Sequence, residues 1–191
     1  MTKQESATTE TQTTREQAAS SPAPDRTLRQ VIGGLMAALD RDLSPGGVAA
    51  LRRLSPGDPG GTAFWRVVAG YLEGQLPPGG EARDLAEQRW ASILCGMATT
   101  AGLNRFGRSA GEALADAGVS EQRFDRLLRA TGARLHDELR TVARFVASKG
   151  EELDWTDLAR LVLTDGTEAA ELARRALART YYRTLHRLET N

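Results

Sequence analysis

Apolar residues recur every three or four positions through most of this chain, starting at Thr27. That spacing places them on one face of an α-helix. No stretch alternates apolar and polar residues between tight turns, which is the pattern of a half-buried strand. The periodicity therefore predicts an all-α fold of roughly nine helices, packed as two small helical bundles. In the first such segment, TLRQVIGGLMAALD, the apolar stripe consists of Leu28, Val31, Ile32, Leu35 and Leu39.

Helix boundaries are also visible in the sequence. Ser44 followed by Pro45 is typical of an N-cap and first helical position, and Ser120 and Asp154 are further N-cap candidates. Gly150 follows a helical run and is expected at its C-terminal end. These residues divide the periodic region into separate helices.

The composition changes along the chain. Residues 1–25 are rich in Thr, Gln, Ser and Glu and contain almost no large apolar side chain. Such a segment cannot bury enough surface to offset the cost of ordering, so we expect a disordered tail. The sequence PPGG at 77–80 predicts a loop. We divide the folded part into an N-terminal helical half, residues 26–107, and a C-terminal helical half, residues 108–191.

Residues that perform catalysis or bind metals are scarce. Cys95 is the single cysteine and lies in an apolar run, and the two histidines, His136 and His186, are fifty residues apart. Neither lysine, Lys3 or Lys149, stands in a phosphate-binding Gly-Lys-Ser/Thr loop. We predict that the chain is not an enzyme and has no catalytic residues, metal site or cofactor. A small helical enzyme or ligand-binding regulator stays an alternative, which would require a deep pocket with converging polar groups.

Targeting signals are not apparent. The N-terminal sequence has no apolar core of a signal peptide, and no segment approaches the roughly 18 apolar residues of a membrane span. We expect a cytoplasmic protein that does not bind membranes. The net charge is zero, so total charge does not indicate a nucleic-acid partner.

The positions of the arginines are more informative than their number. Helix neighbours three or four residues apart meet, so each arginine can be tested for an acidic neighbour at those offsets. By this test Arg29 is expected to pair with Asp25, Arg134 with Glu138, Arg160 with Asp157, and Arg175 with Glu171. The arginines that lack any acid at these offsets are Arg52, Arg53, Arg89, Arg105 and Arg144. Arg83 and Arg108 each have an acid at one offset alone, four residues later in the chain.

Arginines that repel one another are tolerable when an anionic partner neutralises them, and the guanidinium group suits bidentate contact with phosphate. No zinc-finger or helix-turn-helix pattern is present to read bases. The unpaired set therefore favours binding to nucleic-acid backbone without sequence preference. The alternative is a protein–protein scaffold, in which the same arginines contact acidic surfaces of neighbouring subunits.

Several ordered motifs carry a resemblance to a known family. The sequences ALRRL…AFWRVV, GRSAGEALADAGVSEQRFDRLLRA, ELRTVARFVASKGEELDWTDLARLVL and RRALARTYYR follow one another between about Val48 and Arg183. Together they resemble the CasB family, the small subunit of the type I-E CRISPR surveillance complex Cascade. The block at 109–129 and the Leu-Asp-Trp at 153–155 are the most specific of these motifs.

The resemblance implies an all-helical, non-catalytic subunit in antiviral defence that stabilises the R-loop between guide RNA and target DNA. It implies as partners other Cascade subunits including a second copy of this chain, CRISPR RNA, and target DNA including the displaced single strand. Base pairing would then supply sequence specificity while the protein contacts backbone. The nucleic-acid-binding residues expected from the resemblance and the arginine pattern together are Arg52, Arg53, Arg83, Arg105, Arg108, Arg123, Arg129 and Arg144.

Overall fold

The computed structural model describes residues 27–55 and 59–190, and this part of the chain is helical without strands. A parallel bridge joins Asn104 to Leu153. The predicted all-α class and the number of helices are confirmed for these residues. The tail predicted over residues 1–25 lies outside them. The helices are α1 Leu28–Ala37, α2 Pro45–Leu51, α3 Thr62–Val67, α4 Gly80–Thr99, α5 Ala110–Asp116, α6 Glu121–Arg129, α7 Gly132–Lys149, α8 Trp155–Leu163 and α9 Glu168–Thr190.

Capping explains where several helices begin and end. Thr27 and Gln30 form a reciprocal capping box at the start of α1, and the Ser44 hydroxyl accepts the Gly47 N–H at the start of α2. Asp154 accepts the Thr156 N–H at the start of α8. Gly150 ends α7 in the left-handed conformation, with φ of 69°. Ser120 occupies the N-cap position of α6, but its side chain donates or accepts no capping bond there.

One hydrophobic cluster extends through the described part of the chain, from Val31 in α1 to Tyr181 in α9. The long helix α4 lies at its centre and packs against α2, α7 and α8. Its side chains Trp90, Ile93 and Met97 are almost completely buried. The cluster contains residues from both predicted halves, and the division after residue 107 stays a prediction.

Two motifs that carry the family resemblance have structural roles. Trp155 packs its ring directly on Gly96 of α4 and donates from Nε1 to the Thr100 hydroxyl at 2.8 Å. Gly111 of α5 lies so close to α9 that a Cβ there would overlap Thr180 Oγ1 and the Leu177 carbonyl oxygen. These residues set the distances between helices.

Phe64 and Trp65 stand among aliphatic residues in the sequence, which predicts core positions for both. Phe64 is fully buried, but Trp65 has 45% of its surface exposed. The two rings meet edge to face, with their centroids 5.1 Å apart. Because successive residues of a helix point in directions about 100° apart, Phe64 and Val67 face the core from α3 while Trp65 points outward.

Candidate nucleic-acid interface

Arg52 is fixed at the end of α2 by two contacts with α4. Its Nε donates to the Ala98 carbonyl at 2.7 Å, and the Cys95 thiol donates to the Arg52 carbonyl at 3.3 Å. The guanidinium stays exposed at the C-terminal end of the helix, where a positive charge interacts favourably with the helix dipole. The orientation of Arg52 is therefore set by the packing of α2 on α4.

Arg140 and Arg144 of α7 lie near the same turn of α4. Burial raises the pKa of the Cys95 thiol, while the positive charges of Arg140 and Arg144 act in the opposite direction. Arg144 is exposed. Arg140 is half-buried, and its Nε is buried without any hydrogen-bond partner among the described residues. Since a buried donor without a partner is costly, this nitrogen lowers the stability of the fold that the described residues form.

Phe145, also on α7, lies between two further cations. The Arg123 guanidinium carbon lies 5.0 Å from the ring centroid and Lys149 Nζ lies 5.6 Å from it. Contact with an aromatic face orients a cation while leaving its outer hydrogen-bond donors free. The ring borders a groove of about 400 Å³. The residues lining this groove are Val119, Arg123, Arg126, Glu138, Thr141, Val142, Arg144 and Phe145.

These observations define a surface that we call the basic face, formed by Arg52, Arg123, Arg140, Arg144 and Lys149. No member forms an ion pair with another described residue. Glu138 is the one acid lining the adjoining groove, and it lies 3.6 Å from Arg126. Arg53 is exposed and follows Arg52 in the chain, but it borders a different cavity of about 220 Å³ beside Phe64.

The other four predicted binding residues have carboxylate partners. Arg83 contacts Glu73 at 3.0 Å and Glu87 at 2.8 Å. Arg105 contacts Glu152 at 2.9 Å, and Arg129 contacts Asp125 at 2.9 Å. Arg108 is held more firmly, between Asp116 at 3.0 Å and Glu151 at 2.6 Å. Arg123 and Arg144 thus line the same groove, and Arg52 contacts the turn of α4 whose Cys95 thiol feels the charge of Arg144. The four other arginines form ion pairs instead.

The local pairings expected from the sequence are wrong where the structure describes both partners. Glu138 contacts Arg126 rather than Arg134, and Glu171 contacts Arg174 rather than Arg175. The Asp157 carboxylate accepts the Ala110 N–H instead of pairing with Arg160. Arg29 contacts Asp154 at 3.3 Å, and the Asp25 expected to pair with it lies outside the described residues. Tertiary contacts compete for each carboxylate, and sequence offsets do not reveal that competition.

The nucleic-acid-binding residues predicted from the sequence do not include Arg140 and Lys149, two members of the basic face. Arg140 has another arginine, Arg144, four residues ahead, which is an unfavourable arrangement on an isolated helix. That like-charge pair was the signal available in the sequence. Nothing comparable distinguishes Lys149, whose contribution depends on its contact with Phe145.

Groups suited to catalysis do not converge in the described part of the chain. No cluster of three or more His, Cys, Asp or Glu there could hold a metal ion. His136 is buried on α7, and burial lowers its pKa. A groove of about 620 Å³ lies between α2 and α3, where the Tyr71 hydroxyl donates to Asp42 at 2.5 Å. Among the helices described, none is both long enough and apolar enough to span a bilayer.

Comparison with solved structures shows a shared fold. CasB from Thermobifida fusca superimposes with a TM-score of 0.61 at 20% identity, covering 81% of this chain and 95% of that one. A chain of the E. coli Cascade bound to a PAM-containing double-stranded DNA target gives 0.63 at 24% identity, covering 81% and 95%. A chain of a CRISPR RNA-guided surveillance complex gives 0.63 at 24% identity, covering 86% and 98%.

Sequence comparison gives the family directly. The comparison with curated proteins returned no match. The family model of CRISPR-associated protein Cse2 matches residues 47–182, a range that begins in α2 and ends in α9. This range contains the motifs that carry the resemblance to CasB and all members of the basic face. Because the match covers well over half of the chain, this protein belongs to the Cse2 family of CRISPR-associated proteins.

Proposed function

We propose that this chain is a non-catalytic subunit of a Cascade surveillance complex and that its basic face binds nucleic-acid backbone. The observation that carries the proposal is the set of five cations without a carboxylate partner among the described residues, among them Arg140 with its buried, unpartnered Nε. Guanidinium groups held in fixed orientations suit contact with phosphate, which carries no base sequence information.

The proposed partners follow from this assignment. CRISPR RNA or target DNA, including the displaced strand, supplies the phosphates, and the remaining subunits hold the chain against them. Membership of the Cse2 family supports this role, as does a fold shared with chains of complexes described as bound to DNA and guided by RNA. Placement beside a second copy of this chain is part of the same proposal.

A salt titration tests the proposal. Binding of a labelled single-stranded DNA to the purified chain is measured at several salt concentrations. The log–log slope should lie near −0.7 for each phosphate neutralised. Replacing Arg140 and Arg144 together by Gln removes two contacts, so the slope should become shallower by about 1.4.

A matched pair on α6 distinguishes a specific surface from a general charge effect. Arg123→Gln removes a member of the basic face, whereas Arg129→Gln removes the same charge from a position paired with Asp125. The proposal predicts weaker binding for the Arg123 variant alone. Equal losses in both variants would mean that overall charge, and not this face, governs binding.

The scaffold alternative keeps the same fold and changes the partner. It predicts that the Arg140/Arg144 variant binds DNA like the wild type but no longer copurifies with the other subunits. DNA binding and copurification are measured on the same protein preparation, so a single set of variants separates the two functions.

A further inference from the structure

The groove of about 620 Å³ between α2 and α3 contains no member of the basic face, and we call it the α2–α3 groove. Its apolar lining consists of Leu43, Gly47, Ala50, Ala63 and Val67. Because Gly47, Ala50 and Ala63 carry at most one side-chain carbon, the two helices leave an open cleft between them. The cleft is mostly apolar, and such a lining suits a side chain that arrives from outside.

Asp42 and Tyr71 form the polar end of this groove. The Tyr71 hydroxyl donates to Asp42 Oδ2 at 2.5 Å, and the Tyr71 ring lies against Gly34 of α1. The hydrogen bond to Asp42, burial and the charge of that carboxylate raise the pKa of Tyr71, so its hydroxyl stays a donor. Asp42 is exposed and forms no ion pair with another described residue. A carboxylate can accept about four hydrogen bonds, so Asp42 is oriented by Tyr71 and keeps capacity for a further donor.

The backbone around both residues is unusual. Asp42 ends a π-helical turn over Ala38–Asp42 that follows α1, and Tyr71 lies in a second one over Val68–Leu72 that follows α3. Such turns are rare and occur frequently at functional sites. Here two of them are joined by the Tyr71–Asp42 hydrogen bond at one end of the same groove.

The rim of the groove carries side chains typical of protein contacts. Arg66 lines the groove, is exposed, and pairs with no acid in the part of the chain that the structure describes. Trp65 precedes it and has 45% of its surface exposed. Trp, Tyr and Arg are the residue types most enriched at the energetic centres of protein–protein interfaces. Trp65, Arg66 and Tyr71 together therefore favour a protein partner.

Shape and charge specify the occupant further. The stem of a lysine or arginine can lie along apolar walls while its charged head reaches a carboxylate, which matches an apolar cleft that ends at Asp42. Phosphate is disfavoured, because it would meet the Asp42 carboxylate with Arg66 as the one cation among the lining residues. A second copy of the chain is also disfavoured, because an isologous contact sets two identical concave surfaces face to face and fills neither.

We propose that the α2–α3 groove is a protein-docking site, which receives a lysine or arginine side chain from a different subunit of the complex. Asp42 accepts the cation, and Trp65 and Arg66 flank the segment that carries it. This inference rests on the part of the proposed function that places the chain in a Cascade complex, and it does not depend on the basic face. It assigns the chain an assembly surface that differs from the basic face in its residues and in its chemistry.

Photo-crosslinking identifies the occupant. A crosslinking residue replaces Ala63, a half-buried residue of the groove wall, in a complex reconstituted with CRISPR RNA and target DNA. Mass spectrometry should map the crosslinks to a segment of a different subunit that contains a lysine or arginine. Ala69, which is exposed but does not line the groove, is the control position and should give few crosslinks to that segment. Crosslinks to nucleic acid, to a second copy, or to residues 1–26 of the same chain would overturn the inference, as would their absence.

Groove variants measure the contribution of the contact. Asp42→Asn keeps an acceptor for Tyr71 and removes the charge, so affinity for the complex prepared without this subunit should fall about tenfold or more. Ala50→Trp fills the groove and should abolish this binding. The matched control Asp84→Asn removes an exposed carboxylate of α4 that forms no ion pair with another described residue, and it should keep the wild-type affinity. Urea unfolding of each variant shows whether the fold is retained.

A charge exchange separates a direct contact from an indirect effect. Asp42→Lys should abolish binding, and replacing the crosslinked lysine or arginine of the partner by Glu should restore it. Wild-type affinity of both Asp42→Asn and Ala50→Trp would overturn the inference.

Failure of this inference differs from failure of the proposed function. If wild type does not enter the complex, the proposed function is wrong. If wild type and the groove variants enter the complex equally well, this inference alone is wrong. DNA binding by the isolated chain, which tests the basic face, should be unchanged in Asp42→Asn.

Discussion

Individual arginines in this chain have one of two roles, decided by what faces the guanidinium. Arg83 and Arg108 each contact two carboxylates and therefore hold elements of the fold together. Arg140 has no such partner among the described residues, although its Nε is buried. Removing a buried donor's partner normally destabilises a protein, and the proposed function assigns Arg140 a phosphate partner in the assembled complex.

Asp154, which pairs with Arg29, tests the role of arginine–carboxylate pairs in holding the fold together. Its carboxylate, 5% exposed, accepts the Gly107 N–H at 3.0 Å and the Thr156 N–H at 2.9 Å and lies 3.3 Å from Arg29. Burial raises its pKa, but these hydrogen bonds and the charge of Arg29 outweigh burial and hold the pKa below its ordinary value of 3.8. Asp154→Asn should lower the free energy of unfolding by about 1–3 kcal/mol at neutral pH.

The contribution of Asp154 to the free energy of unfolding depends on pH, and the direction follows from its lowered pKa. Because the pKa of Asp154 is lower in the folded state, its ionisation stabilises the fold fully above pH 3.8 and progressively less as the pH falls through the folded-state value. Urea unfolding of wild type and Asp154→Asn should therefore give curves that converge below pH 3.8. A difference that stays constant over that range would contradict this role. The exposed Asp125→Asn is the control and should change stability little.

At the scale of elements, glycines in α4 and α5 permit the closest helix contacts. Gly96 accommodates the ring of Trp155, and Gly111 lets α5 approach the backbone of α9. These two contacts fix how closely α8 approaches α4 and how closely α5 approaches α9. Sequence reading identified the helices and several caps, since those depend on neighbours within one or two turns.

Gly111→Ala tests the second contact. The added methyl would overlap Thr180 Oγ1 and the Leu177 carbonyl oxygen, so we expect a loss of about 1–3 kcal/mol in the free energy of unfolding. Gly70→Ala is the matched control, because no atom lies within 4 Å of the added methyl there. Urea unfolding compares the two variants. Equal stability of both would show that α5 and α9 are not held at this distance.

At the scale of the whole molecule, the sequence was sufficient for the fold class and the family but insufficient for the complete basic face. Arg105 pairs with Glu152, and Arg108 pairs with Glu151 as well as with Asp116; the two glutamates lie more than forty residues away. Such contacts depend on how helices pack, which periodicity does not encode. Arg52 and Arg144 lack acids at nearby helix offsets, as the sequence shows. Packing then places Arg52 against the turn of α4 whose Cys95 thiol also feels the charges of Arg140 and Arg144.

The central claim is that the basic face touches nucleic acid in the assembled complex. A photo-crosslinking residue placed at position 144, in a Cascade complex reconstituted with CRISPR RNA and target DNA, tests it most directly. Position 129, where an ion pair with Asp125 holds the native arginine, is the control. We predict crosslinks from position 144 to RNA or DNA and few from position 129. Crosslinks from position 144 only to protein would contradict the claim and support the scaffold alternative.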